Sequence, residues 1–299
     1  MKDFIIIGEC LVELSYDARG QIQQGFAGDV YSVAVYLKRA NPDARVRLLC
    51  AIGADPFSDA LVTALESERV DTSLLLRRAD RHIGLYAIHN RPDGERSFIY
   101  WRSESAARLT LQSLDELPAS LPAPDCFYLT GISLAVLEAE TPGGIYALLR
   151  RFSEGGSRVV FDTNYRPALW PGDRVARTAF DLALEQSDLA LPGVEDMQAL
   201  YGISSPKEIS ACLARSGVAM MVLKDGPADV LYGPPNEPKK FAITPVQDVV
   251  DTTAAGDAFS GTLLGSLSKG LPMEEALERA ASMSARVIRH RGAILPPGG

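Results

Sequence analysis

Residues 251 to 261 read DTTAAGDAFSG, a run of small residues carrying two acids, set between an apolar stretch and a segment with helical spacing. Two chemistries fit it. One is a plain helix start, because Asp and Gly often open helices that have no ligand nearby. The other is an anion site with a base inside it. If Gly256 and its neighbours form a turn at a helix N-terminus, several backbone N–H groups point outward with the positive end of the helix dipole behind them. Ala254, Ala255 and Gly256 are small enough to let the backbone approach an anion closely. Asp257 then sits where a carboxylate is stabilised, stays ionised at neutral pH, and takes a proton from a hydroxyl as a weak base. The pattern AAGD alone does not decide between the two.

A second set of polar residues lies in HIGLYAIHNRPDGERSFIYWR, His82 to Arg102. Two runs with period two flank RPDG, and Pro-Asp-Gly is strong turn chemistry, so the segment predicts a β-hairpin projecting as a flap. Residues two apart share a strand face, which places Phe98, Tyr100 and Arg102 on one side and Ile99 and Trp101 on the other. A hydroxyl and a guanidinium on one face could close over a polar, anionic ligand. The same pattern also describes an edge strand with a polar outer face, and the segment leaves both readings open.

These residues need a scaffold. FIIIG (Phe4 to Gly8) predicts a buried strand of a parallel sheet, and RVRLLCAIGAD (Arg45 to Asp55) a second strand running into a glycine turn. DCFYLTG, SRVVFDTN, SDLALPG and VAMMVLKDG repeat the form of a short apolar run ended by Gly, Asp or Asn. Helix-length segments lie between them, such as TPGGIYALLRRFSEGG, where Ile145, Leu148, Leu149 and Phe152 follow helical spacing. Alternation of strand and helix predicts a doubly wound, mostly parallel α/β sheet. Ligands bind such sheets outside the carboxyl ends of the strands, where these Gly, Asp and Asn residues fall.

The chain has 299 residues, 46% of them hydrophobic, enough for one large α/β domain or two small ones. Its formal net charge of −8 argues against nucleic acid as a partner, which calls for a basic face. No apolar run has the length of a membrane span, and the one at the N-terminus is too short for a signal-peptide core. Cys10, Cys50, Cys126 and Cys212 form no C-x-x-C pair and lie in apolar sequence, which predicts buried thiols and suits a reducing cytoplasm.

DTTAAGDAFSG resembles the C-terminal signature of the ribokinase-like, or PfkB, carbohydrate kinases, Asp-Thr-x-Gly/Ala-Ala-Gly-Asp. GECLVEL (Gly8 to Leu14), GFAGDVYSVAVYLKRA (Gly25 to Ala40), GADPFSDAL (Gly53 to Leu61), GLYAI with ERSFIYWR, LTGISLAVL (Leu129 to Leu137) and FDTNYRPALW (Phe161 to Trp170) are similar to the branch acting on 2-dehydro-3-deoxygluconate. The likeness runs from Gly8 to RGAI (Arg291 to Ile294). It implies a ribokinase-like fold over 1–299 as a single domain, with a small β lid contributed mainly by about residues 10–30 and 82–102.

The resemblance implies an ATP-dependent kinase acting on the primary hydroxyl of a six-carbon 2-keto-3-deoxy sugar acid. Asp257 would be the base, and the N–H groups of Ala254, Ala255 and Gly256 an anion hole for the phosphoryl in flight. Gly28, Asp29, Ser32, Tyr86, Tyr100 and Arg102 fall where the family holds the sugar. Asn164 and Arg166 in NYR, and Lys224 and Gly226 in LKDG, fall near the phosphates and nucleotide. Arg102, Arg166 and Lys224 also read as solvated charges at strand ends. Family members use Mg²⁺, and many a monovalent cation such as K⁺. Asp251 falls by that cation, or else bonds its own turn. Two positions depart from the pattern. Ser32 replaces an Asn that would bond the sugar. The family's Asn-x-x-Glu reads GVED (Gly193 to Asp196), leaving Glu195 or Asp196 to serve the magnesium shell. A kinase of fructose, ribose or 5-dehydro-2-deoxygluconate shares the base and anion hole, and a silent sugar-acid-binding protein is the reading from another class. Flap edges that partners cover imply a homo-oligomer.

Overall fold

The structure, a computed structural model, describes residues 2–16, 19–90, 96–117 and 121–296. Strand β1 (Asp3–Ile7) is apolar on successive residues because both of its faces are covered. Phe4 and Ile6 pack into one core with helices α1 (Asp29–Ala40), α2 (Pro56–Ser67), α8 (Ala255–Ser268) and α9 (Met273–Val287). Ile5 and Ile7 pack into a second core with α3 (Gly131–Glu138), α4 (Gly144–Glu154), α5 (Asp173–Glu185), α6 (Val194–Tyr201) and α7 (Pro206–Arg215). Each such side chain contributes about 1.5–3 kcal/mol through burial. The alternation along one strand therefore fixes a helical layer on each side of the sheet. In α4 the buried residues are Ile145, Leu148, Leu149 and Phe152, as their spacing predicts.

Among the described residues the main sheet has nine strands. From β1 the chain builds outward through β4 (Arg45–Gly53) and β5 (Leu75–Arg78), all parallel. It then returns to the other side of β1 with β8 (Cys126–Thr130), β9 (Arg158–Asp162), β10 (Leu189–Leu191) and β11 (Met220–Leu223), again parallel. Antiparallel β12 (Val230–Gly233) and β13 (Lys239–Phe241) finish that edge. The direction of building reverses between β1 and β8, and the crevice at such a switch point is where doubly wound sheets bind ligands. The expected fold class is the one observed.

A second sheet, in the order β3-β2-β6-β7, stands apart from the first. It joins β2 (Leu11–Tyr16) and β3 (Ile22–Ala27) to β6 (Gly84–Asn90) and β7 (Arg96–Trp101). The expected hairpin exists as the antiparallel β6–β7 pair, and β6 also pairs in parallel with β2, so that among the described residues the two segments expected to contribute the lid form one four-stranded sheet. The RPDG turn expected at 91–94 lies outside the described residues. Leu85 and Ala87 face Trp101 and Ile99 across the strands, and Tyr86 faces Tyr100, so the two sets of side chains occupy opposite faces as expected. Helices α1 and α8 pack closely through two glycines. A Cβ on Gly261 would stand 2.5 Å from the Val33 carbonyl oxygen, and one on Gly265 2.7 Å from that of Leu37. That approach brings the first turns of α1 and α8 to the same end of the sheet. Among the described residues no helix is long and apolar enough to cross a membrane, and the four cysteines carry free thiols, three of them buried.

Candidate active site

The C-terminal ends of β1, β8, β9 and β11 and the first turns of α1 and α8 converge on one polar cluster. Gly28 caps α1 at φ 118°, and a Cβ there would meet the Glu9 carbonyl oxygen at 2.4 Å, so the position admits only glycine. Asp29, the next residue, is buried. Its Oδ2 accepts from the Thr130 hydroxyl and from Asn164 Nδ2 at 3.1 Å. Burial pushes the Asp29 carboxyl up from its ordinary value, opposed by the Thr130 bond. Ser32 lies three residues on along the same helical face and is buried, 1% exposed.

Helix α8 starts at Ala255, so the opening motif does stand at a helix N-terminus. Ala254 caps it in the left-handed region at φ 59°, a conformation that costs about 1–2 kcal/mol for a residue with a Cβ. One expectation is corrected here. The Ala255 N–H donates to the Thr252 carbonyl at 3.2 Å, because the Thr-Thr turn closes before the helix begins. The first turn's outward donors are therefore Gly256 and Asp257, with Ala254 at the cap.

Asp257 departs from expectation too. Its carboxyl is held well above the ordinary carboxylate range by burial and by the Asp29 and Asp162 carboxylates, with Lys224 and Arg166 opposing. The helix dipole does not outweigh two like charges in a partly dry site. Asp257 is therefore a stronger base than an ordinary carboxylate.

Asp162 ends β9 and is the residue that sequence reasoning passed over. Its Oδ2 accepts from Lys224 Nζ at 2.6 Å, from Ser260 Oγ at 2.8 Å and from Tyr128 OH at 3.3 Å. A Cβ on Gly256 would stand 4.0 Å from Lys224 Nζ, so the ammonium faces the first turn of α8. Gly226 follows in the exposed turn after β11. Asn164 has φ 25°, which turns its amide back toward Asp29, and Arg166 is half-exposed with Nη1 4.0 Å from Asp196.

Glu195 and Asp196, the two acids offered for the magnesium shell, differ in their surroundings. Glu195 is exposed, whereas Asp196 is half-buried and accepts from Thr163 Oγ1 at 2.7 Å and from the Tyr165 N–H at 3.1 Å. Successive helical residues point about 100° apart, so only one of the two acids faces the cluster. A Cβ on Gly193 would stand 2.9 Å from Asp196 Oδ2, so glycine there leaves room for this carboxylate. Asp251 closes its own turn, accepting from Thr253 Oγ1 at 2.7 Å, and reaches the Gly292 N–H at 2.8 Å.

On the lid, Arg102 reaches the core through Glu9, which is 1% exposed and also accepts from Ser105. Burial pushes Glu9 up from its ordinary value, and the Arg102 guanidinium opposes that. The Tyr86 hydroxyl donates to Glu13, and burial and that carboxylate raise its pKa. Tyr86 is thus occupied within the lid, while Tyr100, its ring 5.6 Å away, is 53% exposed. Glu9, Thr130, Asp162 and Ser260 all stand in quoted motifs, yet each draws its place from a partner distant in sequence.

The fold and this cluster define a class, and comparison bears it out: residues 1–297 match the model of the pfkB family carbohydrate kinases, and the chain belongs to that family. The chain is 36% identical over 302 residues to the 2-dehydro-3-deoxygluconokinase of Escherichia coli, covering 99% of this chain and 97% of the relative. It is 37% identical, with the same coverage, to that of Dickeya dadantii. Among solved structures, a PfkB protein from Polaromonas superposes with a TM-score of 0.84 at 25% identity, over 97% of this chain and 96% of that one. A fructokinase from Xylella fastidiosa with bound ATP shares the fold at a TM-score of 0.83 and 23% identity, over 98% and 94%.

Proposed function

We propose that the chain transfers the γ-phosphoryl group of ATP to the 6-hydroxyl of 2-dehydro-3-deoxygluconate, working as one domain with its lid. The observation that carries phosphoryl transfer is Asp257 in the first turn of α8 with the Lys224 ammonium facing Gly256. The substrate comes from the sugar-acid kinases that the chain matches end to end.

In this reading Asp257 accepts the proton of the attacking hydroxyl as the bond to phosphorus forms. Its raised proton affinity makes it a stronger proton acceptor than an ordinary carboxylate. The Gly256 and Asp257 N–H groups and Lys224 meet the charge on the phosphoryl oxygens. Asp29, held by Thr130 and Asn164, and the Tyr100 and Arg102 side chains of the lid orient the sugar acid. Among the described residues no three His, Cys, Asp or Glu side chains converge as a metal cage. Magnesium carried on nucleotide phosphates needs only one or two carboxylates, with water completing its shell. Asp196, near Asp162 and Arg166, fits that need, and the ion would there neutralise phosphate charge. A potassium ion beside Asp251 belongs to the same reading, and exchanging potassium for sodium would then lower turnover.

We also propose a homo-oligomer joined through the lid. Tyr16, Ile22, Ile99 and Trp101 are 48–62% exposed, and the outer face holds a groove of about 740 Å³ lined in part by Leu14, Leu85 and Ala87. A second copy of this apolar face would cover it, and Trp101→Lys should then shift the molecular mass measured by light scattering. The free thiols support a cytoplasmic setting. The activity is tested by ADP release over a panel of sugars and sugar acids. The highest kcat/KM is expected for 2-dehydro-3-deoxygluconate, and faster turnover of fructose or ribose would overturn that choice.

A further inference from the structure

We propose that Asp162 is a positioning residue: it fixes the Lys224 ammonium beside the first turn of α8 and, through Ser260, ties that ammonium to the helix carrying Asp257. The inference rests on the phosphoryl-transfer reading above. A lysine is a point charge on a flexible four-carbon stem, so an ammonium left to itself samples many positions. Here one buried carboxylate oxygen gathers Lys224 Nζ at 2.6 Å and Ser260 Oγ at 2.8 Å, and these two stand 3.4 Å from each other. The triangle joins three elements: the end of β9, the residue following β11, and α8 one turn after Asp257. Tyr128 OH, 3.3 Å from the same oxygen, links it to β8 as well.

Stability alone is a poor reason for the arrangement. Asp162 is 3% exposed and the Lys224 side chain 18% exposed, and desolvating such a pair commonly offsets its attraction. Placement is the better account. Lys224 is two strands away from Asp162, in the order β9-β10-β11, and its ammonium would otherwise have no fixed direction along the top of the sheet. With Asp162 in place it faces Gly256, where an incoming phosphoryl group would meet it. The phosphoryl oxygens then find the positive charge already oriented, which is how preorganised electrostatics lower a barrier.

The test is a double-mutant cycle on the full chain with Asp162→Asn, Lys224→Met and both together. It reads kcat, KM for ATP, KM for the sugar acid, and affinity for a non-hydrolysable ATP analogue without sugar. Asp162→Asn should weaken kcat/KM for ATP by on the order of 10- to 100-fold, the scale of one charge-assisted hydrogen bond, with KM for the sugar acid moving less than about twofold. In KM for ATP and in analogue affinity, where Asp162 acts through Lys224, the double variant should lose no more than Lys224→Met alone, whereas kcat also carries the direct effect of the Asp162 charge on Asp257. Losses that multiply in those two quantities, or an Asp162→Asn protein with unaltered ATP handling, would overturn the proposal. Asp162→Glu, which keeps the charge, should recover part of the loss. If the asparagine variant does not fold, Ser260→Ala replaces it: it removes one arm of the triangle while keeping both charges, and an unchanged KM for ATP would then count against the assignment. A wild-type chain that turns over no sugar acid refutes the kinase reading instead, while analogue affinity still reports on Asp162.

Discussion

The guanidinium of Arg102, at the base of the lid, is paired with Glu9, a carboxylate 1% exposed where the chain leaves the core sheet for the lid. The cation expected to read a sugar carboxylate is therefore already held by a protein carboxylate, and its other donors have no hydrogen-bond partner among the described residues. Arg102→Leu should raise KM for the sugar acid by about 10- to 100-fold, the scale of 1.5–3 kcal/mol for a charge-assisted bond. It should also destabilise the fold, since breaking a buried pair costs about 3–5 kcal/mol. Adding Glu9→Gln should restore the thermal midpoint and leave KM high. Recovery of both would mean that Arg102 serves only the fold.

Two glycines of α8 make opposite demands. Gly261 lies against α1 with no room for a methyl group, whereas a methyl on Gly256 meets only Lys224 Nζ at 4.0 Å. Gly261→Ala should lower stability by about 1–3 kcal/mol through overpacking, even though alanine favours a helix. Gly256→Ala should fold normally and lose ATP affinity, because its methyl group stands where the phosphoryl oxygens would sit. Denaturant midpoints and KM for ATP separate the two, and an equal loss of stability in both would contradict the placement of the anion site.

Much of the scaffold was legible because the parallel strands are short apolar runs ended by Gly, Asp or Asn, as in FIIIG and SRVVFDTN. The position of Asp257 at a helix start was legible for the same local reason. What local pattern could not show is who meets whom. The parallel pairing of β2 with β6, which turns a hairpin into a four-stranded lid, joins segments about seventy residues apart. Asp162 reads as a strand-end acid until Lys224 and Ser260 arrive from β11 and α8. Glu195 and Asp196 are adjacent acids, and only the phase of α6 separates them. The proton affinity of Asp257 depends on Asp29, 228 residues away, so no local window could give its direction.

That direction has a consequence for stability. A carboxyl whose folded pKa is raised binds its proton more tightly folded than unfolded. Its favourable contribution is fully present below the unfolded pKa and is lost as pH rises through the folded one. Asp257→Asn removes that loss. The variant should melt at a higher temperature than wild type at neutral and alkaline pH, and the difference should shrink as the pH falls to the ordinary carboxylate pKa. A gain that grows toward acid would show that the Asp257 carboxyl is depressed instead.

The central claim is that Asp257 takes the proton from the sugar-acid hydroxyl during phosphoryl transfer. The direct measurement is kcat of Asp257→Asn against wild type with ATP and 2-dehydro-3-deoxygluconate, together with affinity for an ATP analogue. The amide keeps the shape and loses the base, so turnover should fall on the order of 100- to 10,000-fold while analogue affinity stays nearly unchanged. A variant that keeps about a third or more of wild-type turnover, well outside that range, would contradict the account.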